Sequence, residues 1–446
     1  MDTGLILALK ALKQIKKMGS NIGESVADYL KNNPIGSIDK TLTKSDCAAD
    51  AKVTGDEIRK NAEEIGLLRG YTASKIELNS WNDLAAAVKA GIIQERVAIG
   101  DEIENTWTDT AAQKSYSMPL RINHFEDVEI EGGKTIKGMW LQSKYATPFG
   151  VQMSQYPAFY AADEELPAGT YYITFGGTWG NVKTGESWNF TLTKAVPAGG
   201  FLAGFRNASD TASANWKVYV YDTDRKTILE TVSVASGEAG TSLGTMTLYG
   251  TDHLNGIQET TRGCNRYATS ALRQWLNSDK PKGEWWEPKG KYDLAPDQLA
   301  TKDGFLCGID PELLAVMQPV KLVTYCNTVT AEGKQHVKDT LYDKVTILSL
   351  GQMYITEQVS GEGEAHEYYK QLNGTDTKYK QYSTYPDLIT RGADNTSVAQ
   401  PVRLRSAYRG NACYSWYVNS SGNVSINYGA CDAYRVAPLV LIGKSE

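Results

Sequence analysis

Between positions 408 and 434 the chain gathers the residue types best suited to making contact with another molecule: Tyr408, Asn411, Cys413, Tyr414, Tyr417, Ser425, Asn427, Tyr428, Cys431, Asp432 and Tyr434. Tyrosine offers a large amphipathic ring at low entropic cost, and Ser, Gly and Asn adapt their hydrogen bonds, a mixture found in antibody-like recognition surfaces. The chemistry implied is non-covalent binding through aromatic and polar side chains. The competing reading is that these are ordinary half-buried strand tyrosines.

Catalytic chemistry finds less support. His124, His253, His336 and His366 stand far apart in sequence, in no HExxH motif and beside no nucleophile signature, which reads as scattered surface or structural histidines. Cys47, Cys264, Cys307, Cys326, Cys413 and Cys431 form no CxxC pair, so neither a disulfide framework nor a zinc site follows from spacing; Cys413 and Cys431 would be bridged if the loops bring them within reach, and are otherwise expected to be free thiols. Asp101, Glu102 and Glu104 cluster, but with no further ligands spaced around them they read as a solvated turn. No enzyme activity, metal or cofactor is expected.

The elements that must position the contact residues are a hairpin and a last strand. Trp416 with Val418, and Val424 with Ile426, share the apolar sides of two extended segments, and Asn419-Ser420-Ser421-Gly422 forms the turn between them. Period-2 alternation then places Trp416 inside and Tyr417, Ser425 and Asn427 outside. A buried strand ends this stretch near Ile442.

Arg403-Leu404-Arg405-Ser406-Ala407, Ser415-Trp416, Val418-Asn419-Ser420-Ser421-Gly422-Asn423-Val424 and Arg435-Val436-Ala437-Pro438 resemble the variable proteins of diversity-generating retroelements, which have a C-type lectin fold. Tyr267-Ala268-Thr269-Ser270, Leu272-Arg273-Gln274-Trp275-Leu276-Asn277 and Val345-Thr346-Ile347-Leu348-Ser349 resemble the lectin-like domains that accompany such elements in gut phages. Trp81 and Gly100-Asp101 more faintly resemble phage particle proteins. In that family template-directed mutagenesis at adenines, often in asparagine codons, alters surface positions and spares the scaffold; Tyr, Ser, Cys, Asp and Asn are all reachable from an Asn codon in this way.

The resemblance implies a diversified receptor-binding protein with a variable region at about 403–438: a phage tail-fibre or tail-tip subunit on the virion that attaches to a host cell-surface protein or glycan and meets other virion tail proteins. The alternative is a bacterial cell-surface adhesin or display protein diversified by a retroelement. An enzyme on the formylglycine-generating-enzyme fold ranks last, because its dedicated cysteines have no counterpart outside the variable surface. The EPN, QPD and WND tripeptides of calcium-dependent lectins are absent, Ser415-Trp416-Tyr417-Val418-Asn419 standing in their place, so binding is expected to be metal-independent.

Over its 446 residues the chain carries a net charge of -6, with 41 Gly and 26 Tyr. These values argue for a β-rich α+β protein and against a nucleic-acid surface. No segment approaches the about 20 apolar residues of a membrane span. The expected order is an N-terminal helical attachment or oligomerisation region (1–60), a small α/β linker domain (61–115), a β-sandwich-like domain (116–250) and a C-type lectin-like domain (251–446). In the first, Leu5, Leu9, Leu12 and Ile15 form an apolar stripe that needs cover, which self-association or docking into a larger particle would supply; the resemblance to phage fibre proteins implies a homo-oligomer, a trimer first. Ser80, Asp83 and Gly91 delimit a helix, and Val97 to Ile103 reads as a strand.

Overall fold

The computed structural model describes residues 78–155, 158–176, 183–204, 217–246, 264–426 and 429–444. The apolar stripe near the N-terminus, Trp179, Trp216, His253, Asn427 and Tyr428 lie outside them. Strand predominates over helix, as a β-rich α+β chain requires.

Helix α1 (Trp81–Ala90) has the expected limits: the Ser80 hydroxyl accepts from the Asp83 amide at 3.1 Å, and Gly91 closes the helix at φ 69°. Leu84, Ala85, Ala87 and Val88 turn inward. The strand expected over Val97–Ile103 shrinks to β1 (Glu102–Ile103), because Asp101 accepts from the Ala98 amide at 2.8 Å and folds the preceding residues into a turn. Glu102 is an ion-pair partner of Lys144 at 2.8 Å and Arg121 at 3.3 Å.

β2 (Thr106–Asp109) and β3 (Lys114–Ser117) pair as a ribbon, followed by β4 (Leu120–Glu129), β5 (Thr135–Ser143) and β6 (Tyr145–Ala146). β7 (Ala158–Ala161), β8 (Gly169–Phe175), β9 (Ser187–Leu192), β10 (Phe201–Gly204), β11 (Lys217–Tyr221), β12 (Ile228–Ser236) and β13 (Thr241–Met246) make one seven-stranded sheet in the order β13-β8-β9-β12-β11-β10-β7. Phe159 at its edge lies 6.3 Å, ring to ring, from Phe190 in its interior, so the sheet curls about its own core, in which Trp188 is buried.

Next come α2 (Ala271–Leu276), α3 (Pro311–Val316), β14 (Val320–Tyr325), α4 (Ala331–Gln335), β15 (Lys338–Asp343), β16 (Val345–Thr346) and α5 (Glu367–Asn373). β17 (Thr390–Gly392), β18 (Ala399–Gln400), β19 (Val402–Ala407), β20 (Ser415–Val418), β21 (Val424–Ser425) and β22 (Leu439–Ile442) complete the described strands. Ser270 caps α2 and Asp310 caps α3, with Pro311 in its first turn.

The central sheet runs β1-β4-β5-β22-β16, so the last strand of the chain sits between β5 and β16. Met139, Leu141, Val440 and Ile442 enter the core shared with α1, α2 and α3, whereas Trp140, Leu439 and Leu441 enter the core that holds Trp416. Alternation sends successive side chains to opposite faces, and both faces are covered, which is why β22 is an unbroken apolar run.

This pairing corrects the expected boundaries. Residues 78–155 and 264–444 share one sheet, and the seven-stranded sheet of 158–246 is an insertion between them; a two-sheet sandwich over 116–250 is not what forms. The insertion rests on 283–295, where Ala158 donates to the Tyr292 carbonyl at 3.0 Å and Ala295 to that of Arg225 at 3.2 Å.

Candidate ligand-binding surface

β19, β20 and β21 form the predicted hairpin plus one strand, with Val402 opposite Val418, Arg403 opposite Tyr417, and Tyr417 opposite Ser425. The Asn419 side chain accepts from the Ser421 and Asn423 amides at 2.9 and 2.8 Å and sets the turn. Gly422 stands at φ 84° with a hypothetical Cβ 2.2 Å from the Tyr385 oxygen, so no other residue fits. Trp416, Val418 and Val424 enter the core with Leu404, and Ile426 packs at its rim.

The opposite face is not open. Tyr417 is only 4% exposed and Ser425 is buried, against the expectation from alternation. The segment 429–434 folds back over this face and is fastened there by Arg403, whose guanidinium donates to the main-chain oxygens of Gly429 and Asp432, both at 2.9 Å, and to Ser415 Oγ at 2.5 Å. The Tyr434 ring packs on Tyr417 in a tilted contact with centroids 5.5 Å apart and lies 5.2 Å from the Arg403 guanidinium. Burial lowers the pKa of Arg403 to about 10, with the Asp432 charge opposing the shift. Alternation fixes which face a side chain takes, and this loop decides that both faces are inside.

Asn411, Cys413 and Cys431 are likewise buried beneath the loops. Cys413 donates through its amide and its thiol to Asn411 Oδ1. Tyr408, Tyr414, Asp432 and Tyr434 remain part-exposed; the loops 408–414 and 429–434 meet at a bridge between Tyr414 and Gly429, while Tyr408 packs on Trp416 at one face of β20 and Tyr434 on Tyr417 at the other.

The first loop has its own anchor. Asn265, 0% exposed, donates through Nδ2 toward the carbonyls of Tyr414 at 2.7 Å, Asn411 at 2.8 Å and Tyr408 at 3.1 Å, and its backbone amide bonds the Ala412 carbonyl at 2.8 Å. Its Oδ1 accepts from Asn327 Nδ2 at 3.1 Å, and Asn327 is itself locked by the Val329 and Thr330 amides. Sequence reasoning missed Asn265, since no local signal ties it to a loop more than 140 residues away.

A second juxtaposition was also invisible in the sequence. His124 and His366 stack with ring centroids 5.3 Å apart, and Trp140 lies 5.5 Å from His366. Burial, and then the neighbouring His124, push the pKa of His366 well below its usual value. Among the described residues no group of three or more His, Cys, Asp and Glu side chains is placed to hold a metal ion, and no helix is long and apolar enough to cross a membrane.

No curated protein and no solved structure matches the chain. Residues 244–443 match the model of a family described as a domain of unknown function (DUF6273), and this span, from the end of the inserted sheet to just past β22, is what the chain shares with that family.

Proposed function

We propose that this chain is a receptor-binding protein whose C-terminal unit, of C-type lectin-like architecture, presents a diversified surface, with a phage tail fibre or tail tip as its setting and attachment to a host-surface ligand as its task. The reading is carried by one observation. The loops 408–414 and 429–434 are held by buried Asn265 and Arg403 largely through main-chain oxygens, which every residue type possesses. These main-chain bonds are open to any residue type at 408, 414, 432 and 434, although Asp432 Oδ2 also accepts from the Gly429 amide at 2.6 Å and the Tyr434 ring also packs on Tyr417.

The protein acts by binding, without catalysis or a metal. The segment 1–60 serves attachment and self-association, a trimer first, in contact with other tail proteins. Two experiments test this. Sequencing beside the gene should reveal a reverse transcriptase and a near-copy of the segment coding for 403–438 that differs only at adenines. A Tyr414→Ala/Asp432→Ala/Tyr434→Ala protein should keep the wild-type fold and lose adhesion to host cells; full adhesion by that protein would place recognition elsewhere.

A further inference from the structure

Tyr382 is 55% exposed, the only aromatic among the large apolar side chains that stand mostly in solvent in the described residues. It lies outside the 403–438 region, yet its ring is 5.2 Å from that of Trp416, and Tyr408 packs on Trp416 edge-on at 5.9 Å. Two tyrosines thus sit on one buried indole.

The backbone at Tyr382 is held at φ 57°, the left-handed region that a bulky L residue rarely adopts. This strain is imposed from both sides: Tyr382 donates to the Val424 carbonyl at 2.8 Å, Val424 to that of Ser383 at 3.0 Å, and Tyr385 to that of Gly422 at 2.9 Å. Glycine would fit this conformation more easily, and a tyrosine kept there, exposed and uncovered, points to a task for its ring.

The surroundings are polar. Lys380, Thr384 and Gln358 are exposed, and Gln358 Oε1 is committed to Trp416 Nε1 at 3.2 Å and the Arg409 amide at 3.0 Å, which orients its amide group at the rim of the platform. A protein hot spot needs a broad apolar centre inside a polar rim. A single ring set among hydroxyl and amide groups matches the smaller footprint of a sugar, apolar on one face and hydroxylated at its edge.

We propose that Tyr382, with Tyr408 beside it on Trp416, is a saccharide-stacking platform that forms a fixed part of the recognition surface. The inference rests on the reading of 408–434 as that surface and names glycans as its ligand class. The fixed ring supplies affinity for a pyranose, and the neighbouring loop residues select among glycans.

The test is a printed glycan array probed with the full-length chain and with Tyr382→Phe, Tyr382→Ala, Tyr382→Gly and Tyr414→Ala/Asp432→Ala proteins. Tyr382→Ala and Tyr382→Gly should each lower apparent affinity for the bound glycans about tenfold or more, whereas Tyr382→Phe should stay within about fivefold. Tyr382→Gly should melt no lower than wild type, which separates lost contact from lost fold. The loop double variant should shift which glycans are retained. Absence of any glycan binding by the wild type, or unchanged binding by a folded Tyr382→Ala protein, overturns the platform. If Tyr382→Ala binds normally while the loop variant fails, the platform falls and the loop surface stands. If the reverse holds, the platform stands and the loops lose their role.

Discussion

Asn265 Nδ2 lies 2.7 Å from the main-chain oxygen of Tyr414, across 149 residues of chain. The contact makes no use of the tyrosine side chain. With the Arg403 bonds to Gly429 and Asp432, it separates what shapes the loops from what they display.

Asn265→Ala should therefore cost far more than truncation of the residues it holds. It leaves the carbonyls of Tyr408 and Asn411 short of a donor, that of Tyr414 keeping the Tyr408 amide at 2.8 Å, and strips Asn327 of its acceptor; each orphaned group costs about 1–3 kcal/mol. We expect a loss of about 3 kcal/mol or more in urea unfolding, against about 1 kcal/mol or less for Tyr414→Ala. Equal losses would show that the side chains, and not the anchor, shape the loop.

Trp416→Ala should cost about 3–5 kcal/mol, as for a large core aromatic. Tyr417→Ala should now cost more than about 2 kcal/mol, because the 429–434 segment buries its ring. A melting temperature unchanged by Tyr417→Ala would mean that this segment leaves the face in solution and that Tyr417 is exposed after all.

The histidine pair predicts a pH dependence. Burial first, then neighbouring positive charge (His124 for His366, Lys370 for His124), holds both pKa values below the usual 6.5 in the folded chain. The unfolded chain therefore binds more protons below pH 6.5, so the stability these groups contribute is complete above that pH and is lost as pH falls beneath it. Buried Glu126 and Glu362, raised by burial, act in the opposite sense at lower pH, so the comparison must be made between variants. Unfolding free energies from urea titrations between pH 7.5 and pH 5 should fall more steeply for wild type than for His366→Asn, by up to about 1.4 kcal/mol per pH unit. Parallel curves for the two proteins would contradict it.

Calcium removal should not affect recognition. Among the described residues no three His, Cys, Asp or Glu side chains are placed together to hold a cation, and Asp432 is the one carboxylate among the proposed contact residues. Adhesion measured with and without EDTA checks this, and a drop on chelation reversed by added Ca²⁺ would defeat it.

Local chemistry made much of the fold legible. Ser80, Asp310 and Gly91 carried their caps in the residue types themselves, and the Trp416-to-Val424 hairpin followed from alternation and the Asn419-to-Gly422 turn. What escaped was long-range. Nothing in Leu439–Ile442 says that it pairs with Thr135–Ser143, and this pairing joins 78–155 to the C-terminal unit instead of ending a unit at 115. For the same reason the site was half legible: the residue types were found, but the fold-back of 429–434 that buries Tyr417, Ser425 and Cys431 depends on Arg403 reaching carbonyls more than 20 residues away.

The most direct test of the central claim is selection from a displayed library of the full chain randomised at 408, 414, 432 and 434, sorted against immobilised glycans and proteins. Most members should stay folded, and clones with different ligand preferences should emerge with melting temperatures near the wild type. Collapse of most members, or folded members that never differ in what they bind, would contradict it.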